Sequence, residues 1–153
     1  MVKKRKAQAK PVRNSASGGQ RRKGEVSTCG SPRYSLRRAN GAKVLALIAA
    51  RVADERHCSD IVVLDLRGKS PATDYFVIAT GTSDRQRRTV ADEICEAARE
   101  VGLQRFGRAG YEQGRWILLD FIDVVIHIFD RKFRDYYDLE LLWGDAKRLK
   151  LQK

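Results

Sequence analysis

From Ala42 onward the apolar positions follow first a helical and then a two-residue rhythm, and the switches between them outline the elements. Val44, Leu45, Leu47, Ile48 and Val52 fall on one broad face with Arg51 and Glu55 off it, which predicts a first helix from Ala42 to Glu55. Asp60 to Leu66 is a short β-branched run, the pattern of a buried strand. Arg67 to Pro71 supplies the turn, with Gly68 free to take positive φ. A second strand, Asp74 to Thr80, leads through Gly81 and Thr82 into a helix with clear entry signals. Ser83 is placed as N-cap, Gln86 completes a capping box, and Asp84 complements the helix dipole. Val90, Ile94, Ala97, Ala98 and Val101 form the inward stripe, and Gly102 is placed to end the helix.

Leu103 to Gly114 is rich in Gly and Arg and reads as a strand edge plus a loop. Arg115 to Phe121 and Asp123 to Phe129 read as a hairpin turning at Phe121 to Asp123. A last helix is predicted from Asp135 through Tyr136, Leu139, Leu142, Trp143, Ala146 and Leu149. Strand–helix alternation of this kind predicts the α/β class, a mixed β-sheet packed by helices.

Charge divides the chain differently. Residues 1–40 hold 12 Lys and Arg against one acid, Glu25, a net of +11. Residues 41–153 hold 19 against 18, a net of +1. With Pro11, Pro32, Gly18, Gly19 and few large apolar side chains, residues 1–40 read as a basic disordered arm preceding a folded domain at 41–153. Its functional reading is a polycation that meets RNA phosphates by counterion release; its bland reading is a solvated extension, or an artefact of a start codon placed too far upstream. Cys29, Cys58 and Cys95 are widely spaced with no metal-ligand pattern, so neither a disulfide framework nor a bound metal is expected. No run approaches the ~20 apolar residues of a membrane span. The first residues resemble an organelle transit peptide in being basic and acid-poor, but their Lys clusters and glycines weaken the helix such peptides use, and the expected location is the cytoplasm.

Catalysis requires converging nucleophiles, acids and bases or metal ligands. Of the two histidines, His57 ends a helix as a surface residue and His127 sits mid-strand, where a structural or interface role is the simpler reading. Gly81-Thr82-Ser83 at a helix start is the one candidate phosphate cradle. A strand, such a turn and a helix also open nucleotidyltransferase folds, whose chemistry needs a D-x-D carboxylate pair for two metal ions. Asp120 and Asp123 are split by a turn and Asp65 stands alone, so no enzyme and no cofactor is expected, and the turn serves to cap the helix. Side chains suited to an interface accumulate elsewhere. Trp116, Asp120, His127 and Phe129 alternate along the hairpin, and Arg134, Tyr136, Tyr137, Glu140 and Trp143 gather at the last helix. These are read as an exposed interface, with Trp143 assigned to the core.

Three segments, DIVVLDLRGKSPATDYFVIATGTSDRQRRTVADEI, WILLDFIDVVIHIF and RDYYDLELLW, resemble in combination the ribosomal silencing factor family, also called Iojap-like, over residues 42–149. The resemblance implies a fold related to nucleotidyltransferases without the catalytic carboxylates. It implies binding to the large ribosomal subunit through ribosomal protein uL-fourteen, a steric block on small-subunit joining under nutrient limitation, and in organelles a role in large-subunit assembly, the alternative function. It places the contact near Trp116, Asp120, His127, Phe129, Arg134, Tyr136 and Tyr137. Self-association of the free protein through the same surface is a further expectation. Where the family often has Gly before the aspartate of the hairpin turn, this chain has Ile122, which disfavours positive φ and so suggests a different turn geometry. The basic arm lies outside the family pattern.

Overall fold

Apolar strands need their faces covered, and this chain covers one face of its sheet fully and the other in part. The computed structural model describes residues 32–152, with side chains from Asn40 onward. In chain order the elements are α1 (Pro32–Glu55), β1 (Ser59–Asp65), β2 (Tyr75–Thr80), α2 (Asp84–Glu100), β3 (Gly107–Ala109), β4 (Trp116–Asp120), β5 (Val124–Phe129), α3 (Arg131–Tyr137), α4 (Leu139–Leu142) and β6 (Lys147–Leu149). The six strands form one sheet in the order β3-β4-β5-β2-β1-β6. β2 and β5 are parallel, from Tyr75 opposite Val124 to Thr80 opposite Phe129. Every other pairing is antiparallel, so the sheet is mixed, as expected.

α1 and α2 cover one face. Val63, Tyr75, Val77, Ala79, Ile117, Leu119, Val124, Ile126 and Ile128 point at them and are essentially inaccessible. Full burial of each large aliphatic side chain there contributes roughly 1.5–3 kcal/mol. The helix stripes differ from the predicted ones. α1 buries Ala42, Leu45, Ala46, Ala49, Ala50 and Ala53, while Val44 is exposed. The sequence reading followed the large residues, but the small stripe lets the backbone sit closer to the sheet. α2 likewise turns Val101 outward and buries Arg87, Ala91 and Cys95 beside Val90, Ile94 and Ala98.

Further differences concern the two ends. α1 starts at Pro32, ten residues before the predicted start, so residues 32–40 of the basic segment are helical in backbone. The disordered-arm reading otherwise lies outside the described residues. The last predicted helix is not continuous. Asp138 takes a left-handed backbone (φ 39°), ending α3 and N-capping α4 through Leu141 N–H. Residues 147–149 then pair with β1 as an edge strand. Leu149 still packs inward, because position 149 satisfies both rhythms.

The hairpin turns where expected, and its tip carries strain. Ile122 has φ 70°, the conformation that an L side chain with a branched Cβ disfavours. Phe121 N–H donates to Val124 O at 2.9 Å, closing a two-residue loop, and the Asp120 carboxylate accepts Ile122 N–H at 2.7 Å, which holds the tip in place. The departure from Gly noted in the sequence therefore leaves a glycine-type turn occupied by isoleucine, at a cost of about 1–2 kcal/mol. Replacing Ile122 by Gly is expected to stabilise the fold by up to about 1 kcal/mol, and Ile122→Val to bring no gain. Urea unfolding of the two variants checks this; a Gly variant less stable than the parent would show that the Ile122 side chain outweighs its strain.

Candidate docking surface

The second face of the sheet is covered only in part. Its inward neighbours are set by strand register: Trp116 lies opposite Phe129, Leu118 opposite His127, and Ile78 and Thr80 opposite His127 and Phe129 on the other side. Leu64, Leu66, Ile78, Phe129 and Ala146 form a small buried cluster, with Phe76, Trp116, Phe133, Leu139 and Trp143 packed around it. Trp143 thus belongs with the core, standing edge-on to Phe76 at 6.0 Å between centroids.

An aromatic stack crosses this face. Trp116 lies 5.0 Å from Phe129 and 4.5 Å from Tyr137, and Tyr137 meets Tyr136 edge-on at 5.0 Å. The loop before β4 seats the tryptophan. Gly110 has φ 72°, and a Cβ there would meet the Trp116 carbonyl oxygen at 1.9 Å, so no other residue fits. Trp116 Nε1–H donates to His127 Nδ1 at 3.2 Å. An indole only donates, so the accepting nitrogen is unprotonated and the proton of neutral His127 sits on Nε2. Nε2 is buried with no hydrogen-bond partner among the described residues, and Phe76 stands edge-to-face with the imidazole at 4.8 Å. Burial pulls the His127 pKa down to about 4, so the ring is neutral at physiological pH.

The seven predicted contact residues separate into layers. His127, Phe129 and Arg134 are buried, which corrects their reading as exposed. Their side chains lie beneath the surface because α3 and α4 fold back over the end of β5. Arg134 fixes that return: its guanidinium donates to Thr80 Oγ1 at 3.0 Å and pairs with Glu140. Trp116 is partly exposed and Tyr137 more so, while Tyr136 stands 82% exposed. Asp120 is on the same face but about 13 Å along the strand from Trp116, with one carboxylate oxygen engaged at the hairpin tip. The sequence reading left out Leu141 and named Leu142 only as part of the last helix; both are more than 70% exposed. Two adjacent leucines on a helix point about 100° apart, and that was the available signal. Of eight large apolar side chains exposed among the described residues, four lie within residues 136–142. Such local concentration marks an interaction surface better than scattered exposure does.

The other candidate, the Gly81-Thr82-Ser83 turn, is used internally. Ser83 Oγ accepts Gln86 N–H, and Gln86 Oε1 accepts Thr82 N–H at 2.7 Å, one residue earlier than in the standard box. Buried Arg87 donates to the Gly81 carbonyl at 2.7 Å and to that of Gly114. A Cβ at Gly81 would lie 2.5 Å from the Arg87 side chain, so this glycine makes room for an arginine. Asp65 is bound by Arg67, whose guanidinium holds its carboxyl below the usual range. No group of three or more His, Cys, Asp or Glu able to hold a metal occurs among the described residues.

Residues 39–153 match the family model described as "Ribosomal silencing factor during starvation". The chain belongs to the ribosomal silencing factor family. The ribosomal silencing factor RsfS of Bacillus subtilis is 44% identical over 104 residues, 68% of this chain and 88% of its own length. The protein Iojap, chloroplastic, of Zea mays is 34% identical over 135 residues, 84% of this chain and 58% of that protein. A solved structure of a Bacillus halodurans protein, 37% identical, superposes with a TM-score of 0.61 over 71% of this chain and 98% of that one. One from Chromobacterium violaceum, 32% identical, gives 0.62 over 74% and 92%. The family is one of silencing factors that act with the ribosome. No described helix is long and apolar enough to cross a membrane.

Two outcomes test the layering. Arg134→Ala should cost about 2–4 kcal/mol of unfolding free energy, because Glu140 and Thr80 lose their shared partner. His127 has a folded pKa below its ordinary 6.5, so the unfolded chain binds the proton first and stability falls as pH drops from about 6.5 to about 4. The full loss is about 3 kcal/mol. Denaturant titrations at pH 7 and 5 should show a drop for the parent that His127→Phe largely abolishes; an equal drop in both would mean that His127 is not held neutral.

Proposed function

We propose that the protein represses translation by docking on the large ribosomal subunit through ribosomal protein uL-fourteen and sterically blocking small-subunit joining when nutrients are short. The observation that carries this reading is the concentration of exposed Tyr136, Tyr137, Leu141 and Leu142 in the segment that packs on the partly buried Trp116, an apolar rim over an aromatic base. Tyr and Trp are the side chains that most often anchor protein interfaces. The starvation role in the family description supports the conditional part of the reading. On this reading the protein is not a catalyst. The turn that resembles a phosphate cradle closes on its own side chains, and Asp65 and Asp120 are committed to Arg67 and to the hairpin tip. The relation to nucleotidyltransferases implied by the sequence belongs to the same proposal, as do a cytoplasmic location, rRNA contact by the +11 segment at residues 1–40, and pairing of free copies through this surface.

The test uses purified subunits. The protein is expected to sediment with free large subunits and to reduce the joined fraction when small subunits are added. A double variant, Tyr136→Ala with Leu142→Ser, should lose at least about 30-fold in affinity, as removal of an anchor does, while unfolding within about 1 kcal/mol of the parent. Equal distribution over joined ribosomes with no change in joining would overturn the proposal. Precursor particles accumulating in a deletion strain whose subunit joining is normal would instead favour large-subunit assembly.

A further inference from the structure

Among the described residues, four other than glycine have a backbone φ in the left-handed region, and three of them carry polar side chains that tolerate it better. Asp138 caps α4, Asp60 pairs with Arg131, and His57 sits in the turn that leaves α1, its N–H bonded to Asp54 O. Ile122 is the exception. A β-branched residue at φ 70° is strained, yet its side chain is 46% exposed and packs against neither buried cluster of the fold. The fold carries the strain without gaining core from it. Backbone strain of this kind gathers at binding sites, which directs attention to a use outside the fold.

The surroundings of Ile122 narrow that use. Trp116, Leu118 and Asp120 share the sheet face that carries the aromatic stack. Strand register sets Ala109 and His127 beside Leu118, and Gly107 and Val125 beside Asp120. The buried cluster on this face takes Trp116 from β4 and nothing from β3, so α3 and α4 leave this part of it uncovered. Leu118 and Val125 are partly exposed, and Gly107 and Ala109 at the edge are too small to overhang them. A shallow apolar strip therefore continues from Trp116 along β4 to the hairpin tip. There the Asp120 carboxylate accepts Ile122 N–H and fixes the isoleucine at the strip's far end. The strip is continuous with the candidate docking surface, so a partner seated on Tyr136, Tyr137 and Leu142 that follows β4 meets Ile122 next.

We propose that Ile122 is a contact residue: the strained isoleucine extends the docking surface along β4 to the hairpin tip and meets an apolar patch on the same large-subunit partner. The inference rests on the docking reading given above. The experiment uses the full chain and purified free large ribosomal subunits, with affinity read by co-sedimentation and stability by urea unfolding of the same variants. Ile122→Gly and Ile122→Asn both suit a left-handed turn and remove the apolar branch. Each is expected to raise the urea midpoint and to bind at least about fivefold more weakly. Ile122→Leu keeps an apolar side chain of equal size and should bind within about twofold of the parent. Opposite signs separate a contact from a structural role, since lost packing would lower stability and affinity together. Gly and Asn variants that bind like the parent would overturn the proposal; the Tyr136→Ala, Leu142→Ser variant, if still weakened, would leave the docking reading standing without it. A Gly variant both weaker in binding and less stable would overturn it too, because the side chain would then serve the fold. A parent that does not sediment with the subunits would remove the docking reading and this proposal together.

Discussion

The parallel pairing of β2 with β5 is the constraint on which the architecture depends. A parallel pair cannot be closed by a short turn, so the chain must leave β2, cross the sheet and return. It does so through α2 and then the β3–β4 edge, and that excursion places α2 beside α1 on one face. Both paired strands are thereby central, with two faces to bury and side chains that must be apolar almost throughout. The two long helices are spent on the first face. What remains for the second is about eleven helical residues in α3 and α4, too few to roof six strands. An open apolar face follows from the topology itself.

How that face is filled decides what it can do. Simple aliphatic packing would leave a soft and sticky surface. Here the opening is built from rings, and each ring is fixed by something beneath it. Gly110 sets the start of β4, the neutral imidazole of His127 accepts the indole N–H, and Arg134 holds α3 and α4 against Thr80 and Glu140. A charged imidazole would be poorly accommodated in this apolar layer, and burial keeps it neutral. Rigid aromatic surface of this kind would lose little entropy on binding, which suits it to the docking role proposed above.

Much of the fold was legible because strand and helix rhythms differ and because the caps are local. Ser83, Gly68 and Gly102 act where the sequence placed them, and the hairpin turns at the expected residues. Three features were not legible. The alanine face of α1 carries little hydrophobic contrast, so the larger residues beside it dominated the pattern. The segment after Tyr137 satisfies a helical period through Leu149, and only the left-handed backbone at Asp138 and the open edge of β1 break it. Buried Arg87 and Arg134 look like surface charge in one dimension, because their partners are carbonyls, a hydroxyl and a carboxylate brought in by the fold. The candidate site was found as a region for the same reason that its members were mis-layered: alternation along β4 and β5 identifies a face, but not what folds over it.

That mis-layering bears on how sequence motifs of this family should be interpreted. The W-x-x-x-D, H-x-F and R-D-Y-Y patterns look like one list of contacts, yet His127, Phe129 and Arg134 are shielded from any partner that leaves the fold intact. His127 and Phe129 instead set the position of Trp116, Phe129 also meets Tyr137, and Arg134 ties α3 to Thr80 and Glu140. A buried histidine whose single accepted bond orients a tryptophan is as specific a requirement as a contact residue, since Phe in its place would keep the packing and lose the acceptor. Supporting residues therefore fail first in stability and contact residues first in affinity. Leu141 and Leu142, which no strand alternation could have suggested, stand in water, and their substitution is the one least expected to disturb the fold.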